Sequence, residues 1–203
     1  MDLKNSMLLA NMLTRNGGGI DFKTYCYAID NAYIQTDISA NGDYKIRLKG
    51  KILVDTFNIA GGVYPFEGFT TTNSGSKYLG TYMSLATNPN GYINTLFFRS
   101  INNDYPYNPT YQNNLQVGNG NNEITTHNFD LTLSHTIPCD VQYKLFKSSS
   151  SLIAFEIIQI KDQNDNLLHE LKPTIINGES GMYDTVTQTF YGNSNSVGSL
   201  VCE

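Results

Sequence analysis

The residues able to do chemistry are few and scattered. His127, His135 and His169 stand far apart, and no GxSxG step or other nucleophile motif accompanies them. Cys26, Cys139 and Cys202 form no CxxC pair and have no histidine at metal-ligand spacing. They read most simply as reduced, partly buried thiols made in a cytoplasm, with one disulfide plus a free thiol as the alternative. Asp162, Asn164 and Asn166 in KDQNDNLL stand two apart, like the first ligands of a calcium loop. The match then fails, because Leu167 occupies the glycine position and Pro173 that of the bidentate glutamate. A hairpin turn is the expectation, with no metal and no cofactor.

One segment invites a binding role. SINNDYPYNPTYQNN, Ser100 to Asn114, interleaves Tyr105, Tyr107 and Tyr111 with Pro106, Pro109 and several asparagines. An aromatic face can hold the apolar side of a sugar ring, and tyrosine loses little entropy when fixed. Asp104, Asn108 and Asn113 would take the hydroxyls. The plainer reading is a long surface loop, extended by its prolines, with its rings packed on a sheet or on another subunit.

These residues need a scaffold, and composition indicates its kind. Charged residues make up only 15% of the 203, against the usual quarter, and polarity comes instead from Asn, Ser, Thr, Gly and 14 Tyr. Such a surface suits β-rich folds with many tight turns. A net charge of −5 and a pI near 5.1, with no basic stripe, exclude nucleic acid as a partner. No apolar run approaches a membrane span, so no membrane insertion is expected.

The chain divides at Gly19. Residues 1–19 read as a short helix from about Leu3 to Arg15, stopped by Asn16 and the glycines Gly17, Gly18 and Gly19, which also serve as a hinge. Leu3, Met7, Leu8, Leu9, Met12 and Leu13 make it apolar on most sides. It is either an anchor that docks on another chain or a frayed start packed on its own domain. Residues 20–203 change to a period of two. Tyr44, Ile46 and Leu48 alternate with Lys45, Arg47 and Lys49. Similar runs follow at 79–84, 92–99, 128–133, 141–146 and 153–161, separated by turn signals such as Asn41-Gly42 and Asn90-Gly91. The fold class is all-β, a two-sheet sandwich or a barrel.

Two stretches resemble a known family. YCYAIDNAYIQTDISANGDYKIRLKGKI, residues 25–52, resembles the opening of the concanavalin A-like, laminin-G-like jelly rolls of tailed-phage tail and surface proteins. The resemblance rests on Tyr33-Ile34-Gln35-Thr36, the Asn41-Gly42 turn and the alternating strand after it. Residues 143–198 resemble the family's close: Ile160 and Asp162, Leu167 to Pro173, Gly181 to Asp184, then Phe190-Tyr191 and Gly198. In that pattern Tyr183, Phe190 and Tyr191 pack an edge strand against the sheets, and Asp184 fixes a turn.

The resemblance implies a jelly-roll β-sandwich with a short N-terminal helix, serving as a non-enzymatic accessory or structural protein of a phage virion. Its partners would be capsid, neck or tail proteins and further copies of itself, a trimer by analogy. It would be made in the host cytoplasm and end in the particle. A host-surface glycan-binding module is the first alternative. Such folds also host glycosidases, which set two carboxylates over a cleft. On the comparable strand here only Glu156 is available, expected on the packed face of Ile158 and Ile160, so catalysis is not the expectation.

Overall fold

The computed structural model describes residues 19–56, 63–71, 77–86, 95–104, 110–118, 123–135, 139–147 and 152–203. The expected helix and hinge at 1–19 lie outside them, apart from Gly19. The described chain is all-β, with fifteen strands in two antiparallel sheets and no helix among the described residues.

The larger sheet has nine strands: β1 (Asp21–Phe22), β2 (Cys26–Ile29), β4 (Tyr44–Ile52), β9 (Asn128–His135), β11 (Ile153–Lys161), β12 (Leu167–Ile176), β13 (Glu179–Asp184), β14 (Thr189–Tyr191) and β15 (Ser199–Cys202). The smaller has six, in the order β3 (Ile34–Ser39), β10 (Gln142–Leu145), β5 (Val63–Thr71), β6 (Lys77–Ala86), β7 (Thr95–Asp104) and β8 (Thr110–Gln116). In the larger sheet β11 pairs with β4 along its whole length, and on its other edge with β2 and then β12.

The period-two reading predicts β4 well. Ile46, Leu48 and Ile52 are buried, while Lys45, Arg47, Lys49 and Lys51 lie on the outer face. Gly50 is buried between Phe155 and Phe129, and a Cβ there would strike the Ala154 carbonyl. Both sheets feed one core. Phe66 stacks on Tyr143 with centroids 5.0 Å apart, and Phe155 meets Phe129 at 6.3 Å. Phe146, just past β10, lies 5.4 Å from Phe155 of the other sheet and so ties the sheets together. It does so at φ 64°, a costly backbone for a bulky residue, held by complete burial.

Three expectations change here. Cys26 and Cys202 are register partners on β2 and β15 and form a disulfide, so only Cys139 is a free thiol. A spacing of 176 residues hid a contact made by antiparallel pairing of β2 with the last strand, β15. Glu156 does not share the face of Ile158 and Ile160. A bulge between Phe155 and Ile157 turns it outward, onto Lys49. The loop expected at 100–114 is mostly strand. β7 runs on to Asp104 by pairing with β6, and β8 begins at Thr110. Asparagine and aspartate are poor strand formers, but pairing with a neighbour overrides propensity.

Candidate functional site

The residues singled out in the sequence disperse in the fold. Leu3, Met7, Leu8, Leu9, Met12 and Leu13 lie outside the described residues, as do Tyr105, Tyr107 and Asn108. Asp104 ends β7, while Tyr111 and Asn113 sit on β8. The Asp162 segment forms the β11–β12 turn. Asp162 Oδ1 accepts from the Asn164 and Asn166 amides at 2.8 and 2.9 Å, and Asp165 adopts φ 66°. Those bonds hold the Asp162 carboxyl below the usual range, first through the Asn166 side chain. A tight hairpin turn accounts for every polar atom named there.

The closing stretch is built around one carboxylate. Asp184, fully buried, ends β13 on the inner face. Its Oδ1 accepts from the amides of Glu170 (3.1 Å), Val186 (3.0 Å) and Thr187 (3.4 Å). Its Oδ2 accepts from His169 Nδ1 (2.7 Å) and the Thr187 hydroxyl (2.8 Å). Burial opposes its charge, but these donors outweigh it and hold the carboxyl below its ordinary value. Because the carboxylate only accepts, His169 carries its hydrogen on Nδ1. Nearby, Tyr191 of β14 donates its hydroxyl to Asp37 of β3, bonding one sheet to the other. Burial, then this bond, raises the Tyr191 phenol. The Asn193 and Ser194 side chains accept from the Tyr33 and Gln35 amides, covering the edge of β3. The chain then returns as β15, so β14 is an edge strand but not the last one.

The outer face of the larger sheet is an ion-pair ladder. Arg47 grips Asp130 through two bonds of 2.8 and 2.6 Å. Lys45 meets Asp165 at 2.9 Å, Lys49 meets Glu156, and Lys172 meets Glu170 at 2.7 Å. Lys51 stands 4.0 Å over the Tyr25 ring. Each of these cations already has a partner.

The outer face of the smaller sheet differs. A cavity of about 520 Å³ opens there over β3, β10 and β5, lined by Gln35, Ser39, Glu67, Asp140, Gln142 and Lys144. Amide, hydroxyl, carboxylate and ammonium groups line it, with Val141 beside them. Glu67 is 6% exposed, and its Oε1 receives the Lys147 ammonium at 2.8 Å. Behind Glu67, Cys139 donates to the Gly68 carbonyl at 3.2 Å, and burial pushes its thiol up to about 11. That thiol is packed and unreactive at neutral pH.

Sequence reading missed Glu67, which sits in the run VYPFEGF. A lone acid inside an aromatic stretch was the available signal, since a buried charge needs a reason to be there. Searches against protein-family models, curated proteins and solved structures found no match.

Proposed function

We propose that the protein is a non-enzymatic structural or accessory protein of a bacteriophage virion. Its domain is a jelly-roll sandwich displayed on the particle and attached through residues 1–19. The observation that carries this reading is the work done by Gly181, Asp184, Phe190 and Tyr191 of the closing pattern. Gly181 faces the Phe190 ring and the Tyr191 carbonyl so closely that a Cβ would not fit. Asp184 gathers the turn after β13, and Phe190-Tyr191 forms the edge strand that reaches the other sheet. Four members of the pattern that serve one local architecture support the family resemblance, and with it the virion role.

The chemistry of the polar clusters supports binding over catalysis. Both oxygens of Asp184 are consumed by donors, and Glu67 is already engaged by a lysine. The protein associates with itself and with capsid, neck or tail proteins.

Purified particles of the encoding phage should contain the full chain by mass spectrometry, and antibody-gold should label their surface. Deleting residues 1–19 should leave a folded protein that no longer incorporates. Particles without the chain sink the proposal, and full incorporation of the truncated form sinks the anchor.

A further inference from the structure

The run DVQYKL, residues 140–145, alternates polar with apolar side chains, and the fold follows that pattern. Tyr143 and Leu145 of β10 are buried in the core, while Asp140, Gln142 and Lys144 line the cavity on the outer face. Flanking strands complete the lining. β3 sets Ser39 beside Gln142 and Gln35 beside Lys144, and β5 sets Glu67 against Lys144 from the other side. We propose that this cavity binds an extended segment of a partner protein, one that carries a basic and an acidic residue on the same face. The inference goes beyond the display reading and stands without it.

The charges select the ligand. Glu67, Asp140 and Lys144 are the charged groups of the lining. Glu67 is more than nine-tenths buried, and its Oε1 accepts from the Lys147 ammonium at 2.8 Å, so its charge is matched within the fold. Asp140 and Lys144 form no ion pair among the described residues. One unmatched charge of each sign therefore stands in a single cavity. A ligand with one charge would leave the other unmatched, and a polyphosphate would meet two carboxylates. An apolar ligand would strand every polar group. In an extended chain, side chains two or four positions apart share a face, so a segment with a cation and an anion at that spacing answers both.

The groups around the charges suit a main chain. Each peptide unit presents an N–H and a C=O, and a carboxamide can meet both at once. Gln142 and Gln35 supply two carboxamides to the lining. Ser39 accepts from the Asn41 amide at 3.1 Å and keeps its hydroxyl hydrogen for a ligand carbonyl. Glu67 is the built element. Lys147 holds Oε1, which leaves Oε2 as an oriented acceptor for an N–H, so little ordering remains to be done when a segment arrives. On the opposite sheet, by contrast, Lys45, Arg47 and Lys49 each already face an acid.

The test titrates the full, isotope-labelled chain with five-residue peptides blocked at both ends, so that only side chains carry charge. The probes hold Lys and Glu two or four positions apart in a Ser/Thr background, and the controls carry Lys at both positions or Glu at both. A mixed-charge peptide should shift the amides of residues 140–144 saturably at millimolar concentration. The like-charge peptides should bind about fivefold more weakly. Lys144→Glu makes both unmatched charges negative and should reverse that order, so that the Lys/Lys peptide binds best. Lys49→Ala, on the other sheet, should leave binding unchanged. Circular dichroism establishes that each variant is folded. If Lys144→Glu fails to fold, Asp140→Lys, at an exposed position, should move the preference to the Glu/Glu peptide instead. A folded wild type that shows no saturable shift with any peptide overturns the inference. So does a wild type that does not rank a mixed-charge peptide first, or a ranking that the charge reversal leaves in place.

Discussion

Asp184 and Glu67 are both buried acids in a protein with few charges, and their surroundings are opposite. Asp184 accepts from five donors, three of them backbone amides, and has no capacity left for a ligand. Glu67 takes one lysine among the described residues and borders an open polar cavity. A buried charge is stable only when compensated, so the two differ in what supplies the compensation. The first is compensated by the fold and the second only in part, which leaves an oriented carboxylate in the cavity beside it. Saturation marks architecture, and incomplete saturation beside a cavity marks a candidate site.

The largest expected effect follows at Asp184. Asp184→Ala removes the acceptor for buried amides and for His169, and should destabilise by about 3–5 kcal/mol in urea unfolding. Glu67→Gln keeps the shape and frees Lys147, which is half exposed and readily hydrated. It should cost only about 1 kcal/mol or less. Equal losses at the two sites would erase the distinction and make Glu67 architectural.

Acid titration sharpens the same contrast. The Asp184 carboxyl is held below its unfolded value, so its contribution is fully present above about pH 4 and is lost as pH falls through the folded value. Unfolding free energy measured from pH 7 down to pH 2 should therefore drop, and the drop should be shallower in Asp184→Asn. Asp130 and Glu170 are shifted the same way, so part of the slope remains in the variant. An unchanged slope would mean that the donors around Asp184 do not favour its charged form.

How legible these features were depends on how local they are. Alternation identified β4 and β11, and the Asp162 turn was readable because its bonds join residues two and four apart. The role of Asp184 as a turn-former was readable too, since Val186 and Thr187 follow it directly. Its fourth and fifth bonds, to Glu170 and His169, needed the β12–β13 pairing. The Asn177-Gly178 turn, with both residues at positive φ, carried a hairpin signal that the sequence reading passed over. The line of register partners Glu67, Tyr82, Arg99 and Tyr111 across the smaller sheet was beyond sequence reading. Those residues come from four strands, and a one-residue slip in any pairing would have broken the line. The disulfide and the outward turn of Glu156 failed for the same reason, since both follow from register.

The smallest effects belong to the ladder on the larger sheet, and they test whether its charges are as self-contained as their pairing indicates. Arg47 and Asp130 are each close to half exposed, so water screens their attraction in spite of the bidentate geometry. Arg47→Ala should cost about 0.5–1 kcal/mol, part of it from lost packing of the alkyl stem across the sheet. The difference from wild type should shrink as salt rises from low ionic strength to about 0.5 M, because exposed pairs are screened over a few ångströms there. A difference that stays constant as salt rises would mean that the loss comes from the packing of the alkyl stem and not from the ion pair.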